Sequence, residues 1–414
     1  MVDITFVRWD LPCGDRILPA KIFAMPSAVQ PNERIQYLDI VRGLAISGVL
    51  FAYIFWNLGN APSSTYTVFD NVIDQAGFFL IDSKCYTLLA TMFAVGFILH
   101  MNKPGNKAKN LYTYRRRLLG LLIIGSLHAL LLRNGDILAP YAITAFLITF
   151  FYDASRTTLI VLLVVIFVID TLLPQTWLAL GLSFPQRPTL IANYWVENFE
   201  WVKYWYTTSI FFWETTLFLL VGGILIGRTF IQKKRKLSTR QIKIIALIAF
   251  VCGTLSYLTL KFYETQIGQL PDIGNSRVLR ATVYRLLDMI HKLGMASTYA
   301  CVVYLLSRNF RLSALANLGR MSLTNYVLQA AIVVPICLIF NLFDHITPTI
   351  ALIITAAIWV FQVQFSKWWL KHYRFGPLEW ALRSFTYGRA MPNVKENNRQ
   401  PHTAMSVKVQ TELQ

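Results

Sequence analysis

The stretch Leu315-Ala316-Asn317-Leu318-Gly319-Arg320-Met321-Ser322-Leu323-Thr324-Asn325-Tyr326-Val327-Leu328-Gln329 places an arginine, amides and three hydroxyls at the head of an apolar run. The next fourteen residues, Ala330 to Phe343, carry no charge. A segment of this kind crosses lipid, where each polar group needs a partner inside the protein. Ser322, Asn325 and Gln329 fall at i, i+3 and i+7, a continuous stripe on one helix, and Arg320 and Thr324 form a neighbouring i, i+4 pair. Such a stripe serves equally as glue between helices or as a ligand site.

The rest of the chain has the same character. Of its 414 residues 55% are hydrophobic and 14% charged, with a mean hydropathy of +0.47. Apolar runs of roughly 20 residues recur and do not alternate with period 2, which predicts an all-α, polytopic membrane helix bundle and excludes a β-barrel. The formal charge of +18 lies in short clusters between those runs. That is the pattern of topology signals, so the expected partner is the lipid bilayer and not nucleic acid. The five cysteines show no CxxC spacing, and neither a disulfide framework nor a metal site is indicated.

About ten spans are expected, at 37–56, 84–101, 118–132, 137–152, 157–173, 209–226, 244–260, 286–306, 318–343 and 350–369. The connection with Lys103, Lys107, Lys109, Arg115, Arg116 and Arg117 has no acid, and a second basic run extends from Arg228 to Lys243. Both belong in the cytoplasm, which puts both termini there and the acidic loop 57–82 outside. The long loop 174–206, rich in Trp and Tyr, predicts an interfacial helix. Residues 1–36 read as a weakly ordered leader, with a second possible start at Met25. Residues 37–389 form one bundle that ends in an amphipathic helix on the inner surface, and 390–414 a disordered tail.

Four polar constellations carry possible chemistry. Asp39 and Arg42 share one helix face at a spacing of three, as an ion pair or a ligand contact. His128 lies roughly 15 Å along the third span, with Asp136 eight residues later at its outer mouth. This is either a general base with an orienting carboxylate or a core histidine bonded to a neighbouring helix. The stripe around Asn325 is the third. Asp288, His291 and Lys292 are the fourth, read as the outer end of a tilted eighth helix. No P-loop, HExxH, nucleophile elbow or dinucleotide turn is present.

Five motifs in order, Leu38-Asp39-Ile40-Val41-Arg42-Gly43, Gly125-Ser126-Leu127-His128, Gly135-Asp136-Ile137-Leu138 with Tyr141, Gly319-Arg320-Met321-Ser322-Leu323-Thr324-Asn325-Tyr326 with Gln329, and Phe375-Gly376-Pro377-Leu378-Glu379-Trp380 with Arg383, resemble the YeiB-like (DUF418) family of bacterial inner-membrane proteins. The match runs from about residue 35 to 389. The Asp-x-x-Arg-Gly start is similar to that of transmembrane acyltransferases, including the heparan-glucosaminide acetyltransferase type. The resemblance therefore implies a multi-pass inner-membrane protein that moves an acyl group from a cytoplasmic acyl-CoA donor to a small-molecule, glycan or lipid acceptor. Those acyltransferases use a histidine near the outer end of the first span, whereas residues 53–82 here contain none, and Tyr53 stands where close relatives are expected to carry Asn. The expected catalytic pair is then His128 with Asp136. Substrate binding is expected from Asp39, Arg42, Lys84, Tyr141, Arg320, Thr324, Asn325 and Gln329, with Arg115–Arg117 also available to the CoA phosphates. The rival expectation is a transporter or exporter that holds a polar or anionic solute on Arg42, Arg320, Asn325 and Gln329.

Overall fold

The computed structural model describes residues 31–58, 61–132, 136–179, 194–208, 210–233, 237–266, 276–340, 342 and 345–395. The leader up to residue 30 and the tail from residue 396 lie outside them. In chain order the helices are α1 (Pro31–Ala52), α2 (Val68–Leu80), α3 (Lys84–Met101), α4 (Lys107–Leu131), α5 (Leu138–Ile148), α6 (Arg156–Ala179), α7 (Tyr194–Thr208), α8 (Ile210–Gly227), α9 (Thr239–Gln266), α10 (Ser276–Asn309), α11 (Ser313–Arg320), α12 (Ser322–Ile339), α13 (Pro348–His372) and α14 (Pro377–Tyr387). A π-turn, Tyr53–Leu58, continues α1. Among the described residues the single extended pairing is an isolated bridge between Tyr373 and Val394.

The protein is an all-α, polytopic membrane bundle. Eight helical segments are long and apolar enough to cross a bilayer. Two of the ten expected spans differ, and length is the reason. The apolar part of α4 (118–131) and the stretch Leu138–Phe151 each extend about 21 Å at 1.5 Å per residue, against a hydrocarbon core of about 30 Å. They make a short hairpin, and the side chains at its tip are buried: His128 is 3% and Asp136 1% exposed.

Local chemistry sets several helix ends. Thr67 and Asp70 form a capping box at the start of α2, so part of the acidic loop 57–82 is in fact helical. The same Asp70 accepts from Thr349 N (2.9 Å) and Oγ1 (2.6 Å), which ties α2 to the start of α13, where Thr347 is N-cap and Pro348 follows it. The ninth span is two helices, broken at Met321 (φ −112°, ψ 30°). Arg320 and Thr324 are therefore not an i, i+4 pair on one continuous helix. Within the expected loop 174–206, α7 occupies Tyr194–Thr208, and residues 180–193 are outside the described set. The first residues of the expected tail pack back: Asn393 O accepts from Arg374 N at 2.7 Å, and Asn393 Oδ1 from Phe375 N at 2.9 Å.

One end of the bundle gathers the basic residues. Arg228 there donates to the carbonyls of Phe151, Tyr152 and Ala154, closing the turn between α5 and α6, and Lys107 pairs with Asp153 at 2.5 Å. Asp70 and Thr349 mark the opposite end. The outer faces are apolar: Leu247, Leu255 and Phe262 of α9 are each more than half exposed, a surface that suits lipid and would be a liability in water.

Candidate functional site

The tip of the α4–α5 hairpin brings His128 and Asp136 together. Asp136 folds back over the turn so that its Oδ2 accepts from Ala139 N at 2.8 Å, satisfying a free amide at the start of α5. Its Oδ1 then lies 3.4 Å from His128 Nδ1 and accepts from the Tyr326 hydroxyl at 3.2 Å. Tyr326, on α12, also accepts from Ile137 N at 3.0 Å, and its ring sits 4.9 Å from that of His128. Gly125 makes this closure possible, since a Cβ there would lie 2.6 Å from Ala139 N and 2.7 Å from Asp136 Oδ2. Tyr53, in the π-turn after α1, donates to Leu132 O at 3.2 Å and packs the hairpin from the other side.

The array has spare hydrogen-bonding capacity. His128 Nε2 has no hydrogen-bond partner among the described residues, and neither has Oε1 of Gln329, a side chain 1% exposed and one turn beyond Tyr326. An orphaned polar atom at such depth is costly in a membrane protein.

The remaining expected site residues fall into four other places. Asn325 is consumed by packing: Nδ2 donates to Ser366 Oγ (3.0 Å) and Leu318 O (3.3 Å), while its backbone carbonyl accepts from Gln362 Nε2 at 2.8 Å. Lys84 is 2% exposed and donates to Phe78 O in the last turn of α2, at the end away from the basic cluster. Tyr141 is buried among α3 side chains, its hydroxyl donating to Tyr86 O at 3.2 Å, while Tyr86 in turn bonds Thr216 of α8.

Asp39, Arg42, Arg320 and Thr324 lie at the basic end. Arg42 reaches Asp39 at 3.3 Å, with side chains 29% and 15% exposed, so the ion pair read from their spacing exists. Arg320 and Arg383 stand within electrostatic reach of Asp39, as does Arg117 of Arg42. Arg320 itself is exposed and donates to Arg374 O at 3.4 Å. Four arginines thus face few acids, and burial, with the Arg117 guanidinium beside it, pulls the pKa of Arg383 below its ordinary value. Glu379 of α14 turns away from them. Its Oε1 accepts from Leu323 N (2.7 Å) and Thr324 N (3.1 Å) and its Oε2 from Thr324 Oγ1 (2.6 Å), capping α12 where the chain breaks. Burial raises the Glu379 carboxyl above its usual range, against the pull of those bonds. Glycines close the same corner. A Cβ on Gly43 would lie 1.9 Å from Leu315 O, and one on Gly319 1.8 Å from Asp39 O, so α11 and α1 touch backbone to backbone.

Residues 226–389 match the family described as "Protein of unknown function (DUF418)". Over 372 residues the chain is 28% identical to the "Uncharacterized 39.9 kDa protein in amylase 3'region" of Bacillus acidopullulyticus, covering 87% of this chain and 96% of that one. It is 26% identical to YxaH of Bacillus subtilis strain 168 (89% of this chain, 99% of that one) and 26% identical to YeiB of Escherichia coli K12 (89% and 100%). The C-terminal part of the chain therefore resembles DUF418, and nearly the whole chain is similar to YeiB-like proteins. No solved structure matches it.

Two positions of the candidate site escape spacing arguments. Tyr326 stands inside the opening stretch, but its neighbours there are α12 residues, and only the fold shows that its hydroxyl meets Asp136. Glu379 reads as one face of an amphipathic helix, and its target lies 55 residues earlier in the chain. The signal available for both is membership of one of the five ordered motifs.

Proposed function

We propose that this DUF418-like protein is a membrane-embedded acyltransferase that takes an acyl group from acyl-CoA at the basic end and passes it to a hydroxyl-bearing glycan, lipid or small molecule. The observation that carries this reading is the buried His128–Asp136–Tyr326 array with His128 Nε2 unpartnered. Both ring nitrogens lack a hydrogen-bond partner among the described residues, and Asp136 Oδ1, 3.4 Å from Nδ1, is the carboxylate that would stabilise the imidazolium formed when Nε2 acts as the base. The acceptor O–H gives its proton to Nε2 as its oxygen adds to the thioester carbonyl. Collapse of the adduct breaks the C–S bond, and the departing CoA sulfur recovers that proton. The acyl ester and free CoA are the products. The Gln329 amide and the Tyr326 phenol are the nearby polar groups available to orient the reacting carbonyl or acceptor.

Geometry supports the donor side as well. Arg42, Arg117, Arg320 and Arg383 form a cationic patch suited to the CoA phosphates, Arg320 by virtue of its exposure. From Arg117 to His128 along α4 is eleven residues, about 16 Å, a distance for a long thin arm such as the pantetheine of CoA. The clustering of basic residues at this end supports a cytoplasmic patch, with the bacterial inner membrane as the proposed setting.

CoA titrated calorimetrically into the purified protein tests the donor site. Saturable binding is expected, weakened about tenfold or more, roughly 1.4 kcal/mol, in Arg42→Ala and Arg320→Ala. Transport of a polar or anionic solute is the second reading, favoured by a charged cleft at the opposite end from the patch. Absence of CoA binding, together with solute flux in proteoliposomes, would select it.

A further inference from the structure

The opposite end of the bundle holds a group of charges that acyl transfer does not use. A cleft of about 350 Å³, counted with its open mouth, is lined by Thr87 of α3, Asp170 of α6, Thr215 of α8 and Arg285, Asp288 and Lys292 of α10. One of its two ion pairs is closed: Lys292 Nζ lies 2.5 Å from Asp288 Oδ2. The other is open. Asp170, 4% exposed, accepts from Thr215 Oγ1 at 3.1 Å. Arg285 stands within its electrostatic reach but makes no hydrogen bond or salt bridge among the described residues.

Opposite charges separated across a cavity in a membrane protein are unfavourable unless something bridges them. The lining carries two acids and two bases, so a ligand of net charge would leave an uncompensated charge in a low dielectric. A ligand with one cationic and one anionic group leaves none. Lys84 is not part of the lining, and its charge has Asp82 beside it as a counterion. All four lining helices run from this cleft to the basic end, so the cleft lies at the end of the bundle opposite the arginine patch. The guanidinium fork of Arg285 suits a phosphate, and the Asp170 carboxylate an ammonium.

We propose that this cleft binds an ethanolamine-phosphate zwitterion, phosphate on Arg285 and ammonium on Asp170, either as an aminophospholipid headgroup or as the free compound. The site stands whether or not the protein transfers acyl groups.

The test uses the full-length protein in nanodiscs of mixed phosphatidylethanolamine and phosphatidylglycerol, read by native mass spectrometry, together with free phosphoethanolamine in a thermal-shift assay. The expected result is retention of phosphatidylethanolamine over phosphatidylglycerol by about tenfold or more, roughly 1.4 kcal/mol, or a saturable rise in Tm with phosphoethanolamine. The first assigns the lipid as source and the second the free compound. Ethanolamine alone and glycerol 3-phosphate alone should give neither effect, a control that needs no variant. Arg285→Gln and the isosteric Asp170→Asn should each abolish the preference while an unchanged size-exclusion profile and ligand-free Tm confirm that the fold is intact. Equal retention of both lipids with no effect of phosphoethanolamine, or full binding in both variants, overturns the proposal.

Discussion

Two sets of buried polar groups sit one residue apart on α12 and differ in kind. Around Asn325 the bonds close on one another: the amide meets Ser366 and Leu318, and Gln362 meets the backbone carbonyl. Around Tyr326 they do not close. His128 Nε2 and Gln329 Oε1 are left without hydrogen-bond partners among the described residues, although both side chains are buried. Amides and hydroxyls are ordinary glue between transmembrane helices, so burial alone says nothing about function. Unspent bonding capacity does, because it is retained at a stability cost that packing would remove.

The contrast is open to attack through stability. The largest effect belongs to the frame that both sets share: Gly319→Val would drive a side chain into the Asp39 carbonyl of α1, and neither backbone can retreat alone. A loss of more than about 3 kcal/mol is expected, seen as failure to recover folded protein by size-exclusion chromatography. Gly222→Ala is the matched control, since nothing lies within 4 Å of its Cβ position, and it should leave Tm unchanged. Next, Asn325→Ala strips a saturated network and should cost about 1–2 kcal/mol, measured as a lower Tm in detergent. Smallest, and opposite in sign, is Gln329→Met. It replaces a side chain whose Oε1 is orphaned by an apolar one of similar length, so Tm should hold or rise by the equivalent of up to about 1 kcal/mol while acyl transfer falls. A drop in Tm comparable to that of Asn325→Ala would erase the distinction.

Much of the frame is legible in the amino acids, for reasons that are local. Continuous apolar runs mark the spans, i, i+3 spacing pairs Asp39 with Arg42, and Pro377 with Gly388 brackets α14. What is not legible depends on distant partners. The break at Met321 has neither Pro nor Gly at the break itself; it rests on Glu379 supplying acceptors to Leu323 and Thr324, and on Gly319 seating α11 against α1. The meeting of His128 with Asp136 is undecided by spacing, because the intervening turn can aim the carboxylate either way until Ala139 N and Tyr326 capture it. Asn325 shows the converse. It carries the look of a ligand residue, and its partners Gln362 and Ser366 on α13 turn it into a packing group.

The most direct test of acyl transfer follows radiolabelled acetyl-CoA, carrying the label in the acetyl group, in inverted membrane vesicles that contain either the wild-type protein or His128→Ala at matched abundance and Tm. The prediction is label in a membrane or glycan fraction with wild type, reduced about 10²–10⁴-fold in the variant, with CoA binding preserved in both. Equal incorporation by the two proteins would contradict the role of His128, and no incorporation or CoA binding by wild type would contradict acyl transfer itself.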